Sequence, residues 1–441
     1  HGSQMSKFSL SIYYPACRGQ CPYCSFPSVK NHSFSEKRLV DAFRREIGLR
    51  LEEPAWKNRG LREISFKGGT PSLLKPESVH DILATFINRI PEFHEIPVSM
   101  SINPEDVTEE KLRGYRSAGV TDISIGIQSF RNEPLRLLGR LHNENIARQA
   151  LSTALKFDFN SVRVELLFGI PHQTFNMIRE DLLEIYRLGV KNISVRRLEI
   201  QPGTFFEKSF GNRLNSILPS ELELERMLRT FNELLEGLDY KQTQWGEFRK
   251  SFAFEESNFS DSSLVQDHLG IGPESESLYL SQSNHTVIRW QNRASVFDYL
   301  QNSSSMACAR SFVNQQRFSK KEQICRYVEE SLRKPSGFTF KDYYSNFKSH
   351  FTFDFRELLP VMLANQFLLI EDRSARLLPR GALYLDSVLD NFRTYAPKVL
   401  RRTTNKKKPR RARRLEIMRE EKLVHLHPSG RTQPVVFLQG V

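Results

Sequence analysis

Six short runs of β-forming residues, each followed by a turn and then a helical pattern, limit most strongly how this chain can fold. They lie at residues 8–14 (FSLSIYY), 63–69 (EISFKGG), 98–104 (VSMSINP), 122–130 (DISIGIQSF), 161–171 (SVRVELLFGIP) and 192–200 (NISVRRLEI). Helix-like stretches fill the gaps at 35–51, 75–90, 105–118, 143–156 and 173–188. Two have readable starts. Ser35 with Glu36 supplies a hydroxyl cap and an acidic first turn, and Asn103-Pro104-Glu105-Asp106 places Pro and acids where a helix opens. This alternation predicts βαβ units and a parallel α/β sheet, curled by repeated right-handed crossovers into a partial (β/α)6 barrel. Polar and glycine-rich residues at the strands' C-terminal ends then converge on one mouth, where function is to be sought.

The pattern changes after Pro219. Residues 221–238 read as one long amphipathic helix, followed by an aromatic, Ser-rich region to Asn284. Residues 320–392 read as two helices, two short strands around a turn and a last helix: a smaller, mainly helical, winged-helix-like C-terminal domain. The expected divisions are 1–4, a cloning remnant; 5–218, the barrel; 219–310, a barrel extension on the substrate side; 311–396, the small domain; and 397–441, a basic tail. Of the formal charge of +13, a net +8 lies between Arg401 and Lys422, eleven Lys or Arg against three Glu. The bland reading of that segment is a solvated extension; the functional one is binding to nucleic acid or another anionic partner, without interleaved aromatics to stack bases. With 39% hydrophobic residues, no apolar run of about 18 residues and no secretory signal, a soluble cytoplasmic protein without a membrane span is expected.

Three of the five cysteines, Cys17, Cys21 and Cys24, share one loop after the first strand, spaced C-x3-C-x2-C; Cys308 and Cys325 lie far downstream. An odd count without an even framework argues against disulfides. Structural zinc wants four ligands, commonly from two C-x2-C knuckles, and the sequence has no second knuckle. A [4Fe–4S] cluster takes one thiolate per iron, so three cysteines leave one iron open to a ligand's own nitrogen and oxygen atoms.

With Tyr23 ahead of the last cysteine, this motif resembles that of the radical S-adenosylmethionine (SAM) enzymes. In that superfamily the open iron chelates SAM, and electron transfer yields methionine and a 5′-deoxyadenosyl radical. Seven further segments follow in order: 66–74 (FKGGTPSLL), 124–130 (SIGIQSF), 138–142 (LGRLH), 165–171 (ELLFGIP), 200–204 (IQPGT), 268–275 (HLGIGPES) and 377–389 (LLPRGALYLDSVL). They are similar to the group around oxygen-independent coproporphyrinogen III oxidase, with its heme-chaperone and class C methyltransferase relatives. The resemblance spans roughly residues 8–392 and implies a TIM-like radical SAM barrel. It also implies that Gly68, Gly69, Gln128, Arg140 and Glu165 contact the cluster-bound SAM. An amide, a guanidinium and a carboxylate suit ribose hydroxyls and an amino-acid carboxylate, and Gly-Gly at a strand end lets a ligand approach the backbone. A mutual ion pair of Arg140 with Glu165 is the structural alternative. His142 reads as helix-start chemistry and Phe26 as packing. A second SAM, where present, would lie at Tyr23, Thr70 and Leu167. The implied partners are a small-molecule or peptide substrate and an electron donor such as flavodoxin or ferredoxin.

Departures from the group steer the functional expectation. Phe26 stands where coproporphyrinogen oxidases carry a further cysteine, and Ser11 and Tyr13 where their first strand has Tyr and His. Heme chaperones share the Phe but carry an HNxxYW segment that residues 255–272 (EESNFSDSSLVQDHLGIG) lack. Ser101 occupies a place near SAM that is commonly Glu. What remains is the class C methyltransferase branch, using two SAM molecules to deliver a one-carbon unit, or a cyclopropane, to an sp2 carbon. A coproporphyrinogen oxidase-like enzyme and a heme-binding chaperone are the alternatives. Glu199, Glu247 and Glu256 are candidate proton acceptors.

Overall fold

The computed structural model describes residues 7–87, 89–90, 93–211, 214–251, 267–281, 286–302, 310–317 and 320–395. They fall into two compact units that part at residue 318.

The first unit holds all six expected strands: β1 Lys7–Tyr14, β2 Gly60–Gly68, β3 Val98–Ile102, β4 Asp122–Gln128, β5 Ser161–Phe168 and β6 Asn192–Arg197. They lie side by side in chain order, each parallel to the next. Parallel neighbours need a crossover. It is supplied by α1 Glu36–Leu51, α2 Pro76–Ile87, α3 Glu109–Ala118, the pair α4 Asn132–Leu137 and α5 Glu144–Ala154, and α6 Phe175–Arg187. The Ser35 hydroxyl caps α1 as expected, accepting from the Arg38 amide. The start expected at Asn103 is corrected: Pro104–Asp106 is a single 3-10 turn, and α3 opens later, where Thr108 accepts from the Lys111 amide at 3.2 Å. The Asn103 side chain is engaged elsewhere.

The sheet continues beyond six strands. His268–Ile271 joins parallel to β1, and Glu276–Ser281, Thr286–Asn292 and Arg310–Arg317 follow antiparallel. At the other edge Glu247–Lys250 and Tyr240–Gln244 add antiparallel to β6. Among the described residues β1 and β6 do not pair, so the barrel is partial.

Register divides the parallel strands into two chemically distinct faces. One carries Leu10 beside Ile64, Phe66 beside Met100, Ile102 beside Ile125, Ile125 beside Val164, and Leu166 beside Val195, all buried. Helices α1 to α6 bury their own apolar residues, such as Phe43, Phe86, Leu112, Leu151 and Leu182, as cover for it. The opposite face carries Ser9 beside Glu63, Ser11 beside Ser65, Ser99 beside Asp122, Ser101 beside Ser124, Ser124 beside Arg163, and Glu165 beside Ser194. His268, paired with Ser9, belongs to this polar face, and burial together with Lys67 pushes its imidazole down to about 3.

The second unit runs from helix Lys320–Leu332 through Phe340–Phe347 to Leu385–Tyr395, with a three-stranded sheet of Phe338–Thr339, Ser374–Leu377 and Leu368–Glu371. Its core is aromatic: Tyr343, Phe351, Phe355 and Phe392 are buried, with Phe355 and Phe392 ring centres 5.0 Å apart. The basic tail, residues 397–441, lies outside the described residues.

Candidate cofactor site

The chain leaves β1 directly into the cysteine loop. Cys17 is fixed by a two-residue ladder, Ala16–Cys17 with Val29–Lys30, and the Cys24 amide donates to the Cys21 carbonyl at 3.0 Å. All three thiols are free and partly accessible. Pro22 is pressed against the segment after α4: a Cβ on Gly139 would lie 2.5 Å from Pro22 Cδ, so that position tolerates only glycine. On its other side the Pro22 carbonyl accepts from the Phe206 amide at 2.9 Å. A cleft of about 660 Å³, lined in part by Cys21, Cys24, Thr204, Phe205 and Lys208, opens there.

The end of β2 forms the opposite wall. A Cβ on Gly69 would fall 2.4 Å from the Ala16 carbonyl oxygen and 3.0 Å from Cys17 Sγ. The Gly69 and Thr70 amides donate to the Tyr14 and Ala16 carbonyls at 2.7 and 2.8 Å, locking the GGT segment alongside the loop. Phe26 packs here, parallel to Tyr13 with ring centres 6.5 Å apart, as the packing reading expected.

From β4 and the segment after it come Gln128 and Arg140. Gln128 has φ of 68°, a left-handed backbone at a non-glycine residue, where the ladder to β5 shifts register. The Gly126 position marks their meeting point: its Cβ would lie 3.1 Å from Gln128 Nε2, 3.6 Å from Arg140 Nη2 and 3.8 Å from Asn103 Oδ1. Arg140 Nη2 donates to Asn103 Oδ1 at 2.9 Å and to the Gly126 carbonyl at 3.0 Å, while Nη1 reaches Cys21 Sγ at 3.5 Å. Asn103 Nδ2 donates in turn to Thr70 Oγ1 at 3.4 Å. A single chain of bonds thus joins a thiol, an arginine, β3 and the GGT segment. Burial opposes the Arg140 charge, but Tyr23, Cys21 and Glu105 more than offset it and raise its pKa.

Glu165 on β5 accepts from Ser124 Oγ at 2.6 Å, so the ion pair with Arg140 is not how either residue is bonded. Tyr23 and Leu167 pack on one apolar cluster with Leu138, Ile170 and Leu198. Ser101 lies on β3 opposite Ser124, on the polar face.

Some expectations are corrected. His142 does not start α5: Asn143 does, accepting from the Asn145 and Ile146 amides at 3.0 Å. The buried His142 ring instead meets the Ile127 carbonyl at 3.1 Å and Glu105 at 3.4 Å. Glu247 is no free base, being held by Ser194 Oγ at 2.8 Å, Arg196 at 2.7 Å and Arg163 at 3.2 Å. Glu199 pairs with Arg197 at 2.9 Å, and Glu256 lies outside the described residues. Asn103, Arg18 and Asp106 were missed. The Arg18–Asp106 bond spans 88 residues, and sequence offers no signal for it.

The donor set fits a cluster with an open corner. Burial raises the Cys24 pKa, and the neighbouring Cys21 and Cys17 raise it further, as adjacent thiols do until a metal neutralises them. The missing Cβ of Gly69 lets the Ala16 carbonyl and Cys17 Sγ close on the GGT segment, and among the described residues the buried Arg140 Nε has no hydrogen-bond partner. Among the described residues no three His, Cys, Asp or Glu side chains converge as ligands of one ion do; a cluster asks instead for one thiolate on each of three irons.

Residues 11–185 match the model of the Radical SAM superfamily. The chain is 30% identical over 251 residues to the heme chaperone HemW of Haemophilus influenzae, covering 56% of this chain and 64% of that one. HemW of Escherichia coli matches at 30% over 249 residues, with the same 56% and 64% coverage. These matches span less than two thirds of the relatives' length. The solved coproporphyrinogen III oxidase HemN from Escherichia coli superposes with a TM-score of 0.73 at 20% identity, over 89% of this chain and 91% of that chain, which shows a shared fold. Over residues 11–185 the chain is thus similar to the radical SAM superfamily. Its curated relatives here are heme chaperones of the coproporphyrinogen oxidase-like group, and the superfamily's [4Fe–4S] cluster and SAM are the groups that the donor set above fits.

Proposed function

We propose that this chain is a radical SAM protein of the heme-chaperone type, which binds a tetrapyrrole against the polar face of its sheet, below the cofactor site. The observation that carries the reading is the match to two heme chaperones at 30% identity. Phe26, stacked on Tyr13, supports it, because the oxidases of the group carry a cysteine there. The methyl-transfer expectation gives way, since these relatives lend it no support. The segment lacking HNxxYW falls largely on residues 252–266, outside the described residues, and no heme ligand is assigned there.

The cofactors supply reductive cleavage of SAM; the chain supplies geometry and electrostatics. Cys17, Cys21 and Cys24 would hold three irons. Gly68, Gly69 and Thr70 would border the amino-acid end of SAM, with Arg140, fixed by Asn103, beside it. Gln128 and Glu165 present an amide and a carboxylate for hydroxyl groups. Tyr23 and Leu167 close the apolar side, which in this reading is also where a second SAM would rest. The exposed half of Arg196, on the polar face, gives an anionic tetrapyrrole a cationic contact. An electron carrier of the flavodoxin or ferredoxin kind completes the system. Nucleic-acid binding finds no support in the comparisons. No helix among the described residues is long and apolar enough to cross a membrane.

The test is an anaerobic reaction of reconstituted protein with SAM, dithionite and heme, followed by mass spectrometry and visible titration. Expected are 5′-deoxyadenosine without S-adenosylhomocysteine, and stoichiometric heme uptake. A substrate gaining one carbon with both nucleoside products would restore methyl transfer. Release of carbon dioxide from coproporphyrinogen III would assign the oxidase reaction instead.

A further inference from the structure

We propose that Arg18 and Asp106 form a positioning pair that holds Cys17 in place before any metal arrives, so that the cluster site is preformed; the proposal rests on the cofactor assignment above. The Asp106 side chain is completely buried, whereas half of the Arg18 side chain is exposed. The carboxylate accepts from Arg18 Nε at 3.1 Å and Nη2 at 2.5 Å, and from Ser72 Oγ at 2.8 Å, with Lys111 Nζ 3.8 Å away. Ser72 Oγ also accepts from the Asn103 amide at 3.3 Å, and the Ser72 carbonyl from Lys111 Nζ at 2.7 Å. One buried acid therefore ties together the thiol loop, the turn after GGT and the turn that carries Asn103. A buried carboxylate is tolerated only when paired and hydrogen-bonded, so these partners hold one another.

The restraint is local. Immediately beyond Arg18, a Cβ on Gly19 would meet nothing within 4 Å, and the exposed Gln20 braces the far half of the loop instead, its Nε2 donating to the Cys24 and Phe26 carbonyls at 3.3 and 3.4 Å. The far half of the loop is held independently, by Pro22 against Gly139 and by the Phe206 amide. Releasing Arg18 should therefore loosen Cys17, which then keeps only its two-residue ladder to Val29–Lys30, and leave Cys24 as it was.

The test labels metal-free full-length protein with a maleimide and follows each cysteine by mass spectrometry. In Arg18→Gln, Cys17 is expected to react about tenfold faster, the factor given by loss of one charge-assisted hydrogen bond, while Cys24 changes little. Arg18→Lys keeps the charge but not the forked contact and falls between. Asp106→Asn acts in the same direction; Arg18→Gln, at an accessible side chain, carries the test if the buried substitution unfolds the protein. After reconstitution, Arg18→Gln should lose its visible cluster absorbance faster than wild type. Equal Cys17 rates with unchanged melting overturn the proposal, as does an equal rise at all three thiols, which is general loosening. Selective Cys17 release in a chain that takes up no cluster sinks the cofactor assignment and leaves the clamp standing.

Discussion

The two faces of the parallel sheet come from the same strands and obey opposite rules. On the helix-covered face, Ile, Val, Leu, Phe and Met pair with their like across every strand, and burial makes this the main store of stability. On the other face, Ser, Asp, Glu, Arg and Asn take the positions that closed (β/α)8 barrels fill with branched apolar side chains. Small hydroxyl residues do not fill space. A wall of this kind offers polar groups in place of a second apolar core. In the function proposed above, folding and ligand binding fall to different sides of one sheet.

Substitutions on the two sides should separate the two roles. Ile125→Ala, on the apolar face and completely buried, should cost about 2–5 kcal/mol in chemical denaturation, with cofactor binding retained in the folded fraction. A loss below about 1 kcal/mol would break the contrast.

Asp181 on α6 tests the junction between the faces, for it underpins the turn after Gln128. It accepts from Ser129 Oγ at 2.7 Å and the Phe130 amide at 3.0 Å, yet burial lifts its carboxyl to about 6. A folded pKa above the ordinary 3.8 means that its favourable contribution is complete below that value and is lost as pH rises through about 6. Across this window wild type should lose up to about 3 kcal/mol relative to Asp181→Asn. Urea melts of both proteins at the two ends of the window check it, and a constant difference refutes it.

Asn103→Ala removes the acceptor that aims Arg140. We expect about tenfold weaker SAM binding to reconstituted protein by calorimetry, with little change in melting. Smallest of all, Ser11→Ala on the polar face should shift stability by no more than about 1 kcal/mol, because among the described residues its buried hydroxyl has no partner to lose. A larger loss would show that this face contributes to the core after all.

The sequence displayed the strands because alternation and βα spacing are local properties. It displayed the thiols and the glycine pair because their spacing lies within one loop or turn. It failed where long-range bonding overrides local habit. Asn103 and Pro104 look like a helix start, but the side chain goes to Arg140 and Thr70. His142 stands beside a helix start and turns inward to Ile127 and Glu105 instead. Glu247 resembles a spare acid only until strand pairing brings Arg163, Arg196 and Ser194 to it. Residues 268–271 are too short to show a period of their own and become a strand because β1 offers an edge.

The left-handed backbone of Gln128 has an evolutionary consequence. A glycine would relieve the roughly 1–3 kcal/mol that such a conformation costs, but would delete the amide aimed at the site. Any replacement that keeps a side chain retains the cost, and β-branched ones increase it. That codon is caught between two incompatible demands, and drift at this position should be confined to Asn, His or Gln even in lineages where the rest of the wall is rebuilt.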